Sequence, residues 1–124
     1  MIDFKNGSLF KLSPVDADKV EGRVGPLLVD GERIVAAFKA IRDSVVFTNK
    51  RVIAINVQGI MGKKVDFTSL PYSKVQAYSI ETAGTFDFDS ELDLWFSGMG
   101  RVRFEFVAQA NVSEICRLIS ERVL

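Results

Sequence analysis

Val45-Val46-Phe47-Thr48-Asn49-Lys50-Arg51-Val52-Ile53-Ala54-Ile55 sets two apolar, largely β-branched runs on either side of a short polar interruption. Such runs favour strands, and Asn49-Lys50 fits a two-residue hairpin turn because asparagine tolerates positive φ. That turn pairs Phe47 with Val52 on one face and Val46 with Ile53 on the other. Both faces of the hairpin are therefore apolar. In a single-layer barrel one face is core and the other is wet. The second face must then meet the N-terminal helix, the C-terminal helix or another subunit.

The β pattern continues around this hairpin. Residues 33–41, 44–48, 51–57, 64–69, 75–82, 91–97 and 101–108 are rich in Val, Ile and Phe, with turn residues between them. Seven strands joined by short loops predict a sandwich or barrel of antiparallel hairpins. A second hairpin turns at Gly98-Met99-Gly100, which pairs Phe96 with Val102, Leu94 with Phe104 and Leu92 with Phe106. All six share one face, while Asp93, Trp95, Arg103 and Glu105 take the other, so this hairpin is half buried.

Helices bracket the strands. Ser13-Pro14-Val15-Asp16 has the form of a helix start, with a capping serine, a proline at the first helical position and an acid in the first turn. Val20, Val24, Leu27 and Leu28 give that helix one apolar face, and Pro26 ends it. Asn111-Val112-Ser113-Glu114 resembles a capping box, opening a helix near Val112. Its stripe of Val112, Ile115, Leu118, Ile119 and Val123 can plug one end of a barrel. Ile115, Ile119, Phe104, Leu94 and Val52 are expected in the core.

The 124 residues fit one domain, 1–124, large enough for one proper core. Sixteen lysines and arginines balance sixteen aspartates and glutamates. That neutrality argues against nucleic acid and against an anionic lipid surface as partners, since both select basic excess. Met1-Ile2-Asp3-Phe4-Lys5 is no secretory leader, no apolar run is long enough to span a membrane, and the lone Cys116 makes no internal disulfide. A cytoplasmic protein is expected.

Histidine is absent, which removes the usual general base, the Ser/His and Cys/His nucleophile pairs and the commonest zinc ligand. Carboxylates remain, chiefly in Asp87-Phe88-Asp89-Ser90-Glu91-Leu92-Asp93. Alternation puts them on one face of an extended chain, which suits either a divalent cation or a solvated partner surface. The segment lacks the central glycine and distal glutamate of a helix-loop-helix calcium loop, so the surface reading is preferred. The basic candidates are Lys63-Lys64, Lys50-Arg51 and Lys39 with Arg42. They read as charged hairpin tips before they read as phosphate grips. Cys116 reads as a buried, inert thiol, and Trp95 as either stacked on Arg103 or held at an interface. No enzyme and no cofactor are expected.

Several motifs recur in order. Phe47-Thr48-Asn49-Lys50-Arg51, Gln58-Gly59 before Gly62-Lys63-Lys64, Pro71-Tyr72, and Ser79-Ile80-Glu81-Thr82-Ala83-Gly84-Thr85-Phe86-Asp87 with Asp89 and Glu91-Leu92 resemble the bacterial pleckstrin-homology-like (PH-like) domain family in order and spacing. The resemblance covers nearly the whole chain. It implies a mainly β fold, a PH-like split barrel of about seven antiparallel strands with a C-terminal α-helix. It also implies a homo-oligomer, a closed pentameric ring formed through strand contacts. A hydrophilic surface where protomers meet would recruit a protein partner. Carried onto this chain, that surface is Lys63, Lys64, Tyr72, Asp87, Asp89 and Glu91. Two other functions compete with this scaffold: an anionic-lipid binding module using Lys63, Lys64, Lys50 and Arg51, and a divalent-metal site on Asp87, Asp89 and Glu91.

Overall fold

Alternating apolar side chains and short turns produce a sheet whose strands run mostly in sequence order. The computed structural model describes residues 1, 4, 9–59, 61, 64–82, 89–107 and 110–124. Among these, eight strands are formed: β1 (Leu9–Val15), β2 (Ile34–Lys39), β3 (Asp43–Thr48), β4 (Arg51–Gln58), β5 (Lys64–Pro71), β6 (Val75–Glu81), β7 (Ser90–Phe96) and β8 (Gly100–Phe106). Helix α1 (Asp18–Val24) precedes β2, and helix α2 (Val112–Val123) follows β8. The strand order is β5-β4-β3-β2-β1-β8-β7-β6, antiparallel except for the parallel β1–β8 seam. The β1–β8 seam joins the two halves and the sheet stays open, a split barrel with β5 and β6 as its edges.

The main core lies inside the curl. Phe47 and Val52 from the first half meet Leu94, Phe104 and Phe106 from the second, with α2 adding Ile115 and Ile119. Ring centroids of 5.9 Å for Phe47–Phe104 and 4.9 Å for Phe38–Phe106 show the two halves in edge contact. The five expected core residues are all buried. Asn111 caps α2 as expected, its side-chain carbonyl accepting the Glu114 N–H at 3.2 Å.

The second apolar face of the first hairpin finds its cover within the chain. Val20 and Val24 of α1 pack on Ala37, Val46, Ile53 and Ile55 to make a second, smaller core. Among the three covers considered from sequence, the N-terminal helix is the one used.

Three readings are corrected. Ser13-Pro14-Val15 belongs to β1, pairing with Lys39, Phe38 and Ala37, and α1 starts at Asp18 behind Ala17 with no side-chain cap. The expected strand count rises from seven to eight for the same reason. Proline is tolerated there because β1 has already left β8: its register shifts between Leu9 and Leu12, at Lys11 with φ of 56°. The second hairpin pairs Phe96 with Gly100, Leu94 with Val102 and Leu92 with Phe104, two residues from the expected register. Gly98 and Gly100 both take positive φ, which builds a three-residue loop over Ser97-Gly98-Met99. A shift of two preserves the face, so the core assignment survives.

Candidate functional site

The first hairpin's motif is committed to structure. Thr48 Oγ1 accepts the N–H groups of Lys50 and Arg51, both at 3.0 Å, which shapes the turn without positive φ at Asn49. Asn49 instead clamps the preceding loop: its Oδ1 accepts the Arg33 N–H at 2.9 Å, and its Nδ2 donates to Gly31 O at 3.0 Å. Gly31 needs the freedom of glycine here, with φ of 79° in the turn closed by the Glu32 N–H on Val29 O.

Glu32 is the hub of this network. Its carboxylate is fully enclosed and receives a forked pair from Arg51, Nε to Oε2 at 2.9 Å and Nη2 to Oε1 at 3.0 Å. Thr48 Oγ1 donates to Oε2 at 2.7 Å and the Val29 N–H to Oε1 at 3.1 Å. Burial pushes this carboxyl up, but the hydrogen bonds from Arg51, Thr48 and Val29 and the Arg51 charge outweigh it, holding the group below its ordinary range. Tyr72 completes the clamp. It is 1% exposed and donates its hydroxyl to Thr48 O at 2.8 Å, and burial, then the Glu32 charge, raises it far above an ordinary phenol.

A second cluster covers the outer face of β6, β7 and β8. The register stacks Ala77, Trp95 and Arg101 in one row, Ser79, Asp93 and Arg103 in the next, and Glu81, Glu91 and Glu105 in a third. Arg103 forks onto Asp93 at 2.9 and 3.0 Å and reaches Glu91 at 3.6 Å, which raises the guanidinium further, hydrogen bonding to Asp93 first. Trp95 therefore faces Arg101 while Arg103 is held on Asp93, which disfavours the Trp95–Arg103 stack, one of the two readings of this tryptophan. Burial, then the Glu91 charge, pushes the Glu105 carboxyl up, although Arg103 opposes this. Asp89 pairs with Lys11 at 3.0 Å.

The six residues expected to form the partner surface are dispersed. Asp89 and Glu91 share the acidic face, Lys64 opens the β5 edge, and Tyr72 is buried, so its side chain is not available to a partner. Lys63 and Asp87 lie outside the described residues. Glu81 and Glu105 complete the acidic row; single-strand alternation could not find them, because the row runs across strands. The lipid reading does not assemble either. Lys50-Arg51 and Lys64 stand at opposite ends of the β4–β5 ladder, and Arg51 is spent on Glu32. Among the described residues no three acids, cysteines or histidines gather as metal ligands, and no helix is long and apolar enough to cross a membrane. Cys116 is half-buried on α2.

Known proteins share this architecture. The family described as bacterial PH domain matches residues 3–123. The uncharacterized protein YjqA of Bacillus subtilis (strain 168) is 40% identical over 94% of this chain and 95% of its own length. The crystal structure of a DUF1696 family protein with a pleckstrin-homology domain from Shewanella loihica PV-4 aligns with a TM-score of 0.79 at 40% identity, covering 93% of this chain and 99% of that one. A pleckstrin homology domain from Shewanella amazonensis SB2B aligns at 0.65 and 41% identity, covering 89% and 90%.

Proposed function

The chain belongs to the bacterial PH domain family, and on that premise we propose that it is a non-catalytic cytoplasmic scaffold that closes into a homo-oligomeric ring and recruits a protein partner. The observation that supports assembly is the open sheet, which ends in two different edges, β5 and β6. Free edges invite strand pairing. Unlike edges of one chain join head to tail, and such a contact closes into a ring when the rotation allows. The apolar hairpin face gives this reading no support, because α1 covers it. Five copies is the stoichiometry that the family resemblance implies.

The docking surface is the acidic row of Glu81, Glu91 and Glu105 with Asp89, repeated around the ring. Repetition multiplies a weak contact. A partner bearing a basic surface fits that charge. Light scattering tests the assembly: the wild type is expected at several times the chain mass, and Ser79→Pro on the exposed β6 edge is expected to reduce it. A wild-type monomer at high concentration would end the ring reading. An intact ring whose Glu81→Ala/Glu91→Ala variant recovers the same proteins would end the docking reading alone.

A further inference from the structure

The outer face of β2, β3 and β4 is not wholly covered by α1. Beyond the helix a groove of about 630 Å³ remains, floored by Val15, Val20, Ile55 and Val57. Its rim carries Lys19 and Arg23 from α1, and Lys39 and Arg42 from the β2–β3 hairpin. No carboxylate lines it. Among the described residues none of these four cations has an ion-pair partner; Arg42 donates to a neutral acceptor, Gly59 O, at 2.6 Å.

The placement follows from the fold. Lys19 and Arg23 are four apart and share one flank of α1, beside the buried Val20 and Val24, whereas Asp18 and Glu21 fall off that flank. Lys39 shares the face of Ala37, whereas Asp43 accepts a hydrogen bond from Asn56 on the opposite face of the sheet. A chain of zero net charge thus gathers four cations of one sign over an apolar floor. Adjacent like charges on a helix are mutually destabilising, and a bound anion relieves them.

We propose that this groove binds a single-chain anionic amphiphile, its phosphate or carboxylate head among Lys19, Arg23, Lys39 and Arg42 and its acyl chain along the accessible apolar side chains Val15, Ile41 and Val57. A peptide is less well matched. The strands of the floor are paired on both sides, so a peptide backbone laid over it would find no hydrogen-bonding partners. An acyl chain has no such groups to satisfy. This site lies on the β2–β4 half of the sheet, away from the acidic row on β6–β8.

Calorimetric titration with dodecyl phosphate, below its micelle concentration, tests the site. One molecule is expected to bind per wild-type chain. Inorganic phosphate is expected to bind at least about 100-fold more weakly, because the apolar floor contributes nothing to it. Lys19→Ala/Arg23→Ala is expected to weaken dodecyl phosphate at least about tenfold through lost charge-assisted bonds, with no fall in the melting temperature, since the like-charge pair is removed. Any of three results overturns the proposal: no heat with dodecyl phosphate, equal affinity in the double variant, or equal affinity for inorganic phosphate. Binding to phosphatidylglycerol vesicles without binding of the monomeric amphiphile also overturns it, making the face a bilayer contact.

Discussion

Removing the Glu32 carboxylate would leave the Arg51 guanidinium on the neutral acceptors Ser69 Oγ and Leu27 O without its counter-charge. Arg51 is only 21% exposed and Glu32 not at all, so Glu32→Ala is expected to cost about 2–4 kcal/mol in chemical denaturation. The acid limb follows from the same group. Its folded pKa is lowered, so its stabilisation is whole above the unfolded value near 4.5 and is lost as pH falls through the depressed one. Wild type and Glu32→Gln should therefore converge in stability only well below pH 4.5. Glu105 behaves oppositely. Its folded pKa is raised, so ionisation opposes folding, and the stability held in acid is lost as pH rises through that value. Glu105→Gln is expected to stabilise the protein at neutral pH by up to about 0.5 kcal/mol, solvent screening keeping it small, and to lose that advantage on acidification. A variant less stable than wild type at pH 7 would contradict the crowding of Glu91 and Glu105.

Helix α1 is seven residues long, too short to persist by itself, and it stands because Val20 and Val24 have a sheet face to cover. Ile53→Ala beneath it is expected to cost about 2–5 kcal/mol in denaturant titration. Asn111→Ala at the cap of α2 should cost about 0.5–2 kcal/mol, read from the helical signal on heating. Most elements were legible in the sequence, because the continuous β-branched runs of β3 and β4, the alternation over β7 and β8 and the stripe on α2 are strong local signals. The strand β1 was not. Ser13-Pro14 satisfies the local chemistry of a helix start, and only the hydrogen bonds of β2 made it a strand.

Phe47 touches Phe38 on its own half and Phe104 and Phe106 on the other. Truncating it should cost about 3–5 kcal/mol. Because one core joins both halves, far- and near-ultraviolet melts of the unassembled chain are expected to coincide. Separate transitions would mean that the halves fold independently. The zero net charge hides a segregated surface, with an acidic row on the outer face of β6–β8 and a basic groove on the outer face of β2–β4.

By itself the sequence determined the class of the fold, the buried face of the second hairpin and the C-terminal cap. Those features depend on residues two to four apart, which local periodicity encodes. Tertiary structure alone decided that Tyr72 is a buried clamp, that Arg51 serves Glu32 nineteen residues away, and that α1 covers the first hairpin. It also decided that Glu81, Glu91 and Glu105 form one row while Lys19, Arg23, Lys39 and Arg42 share one groove. Each of these depends on strand register or helix placement across the chain, where a step of one residue sends a side chain to the other face.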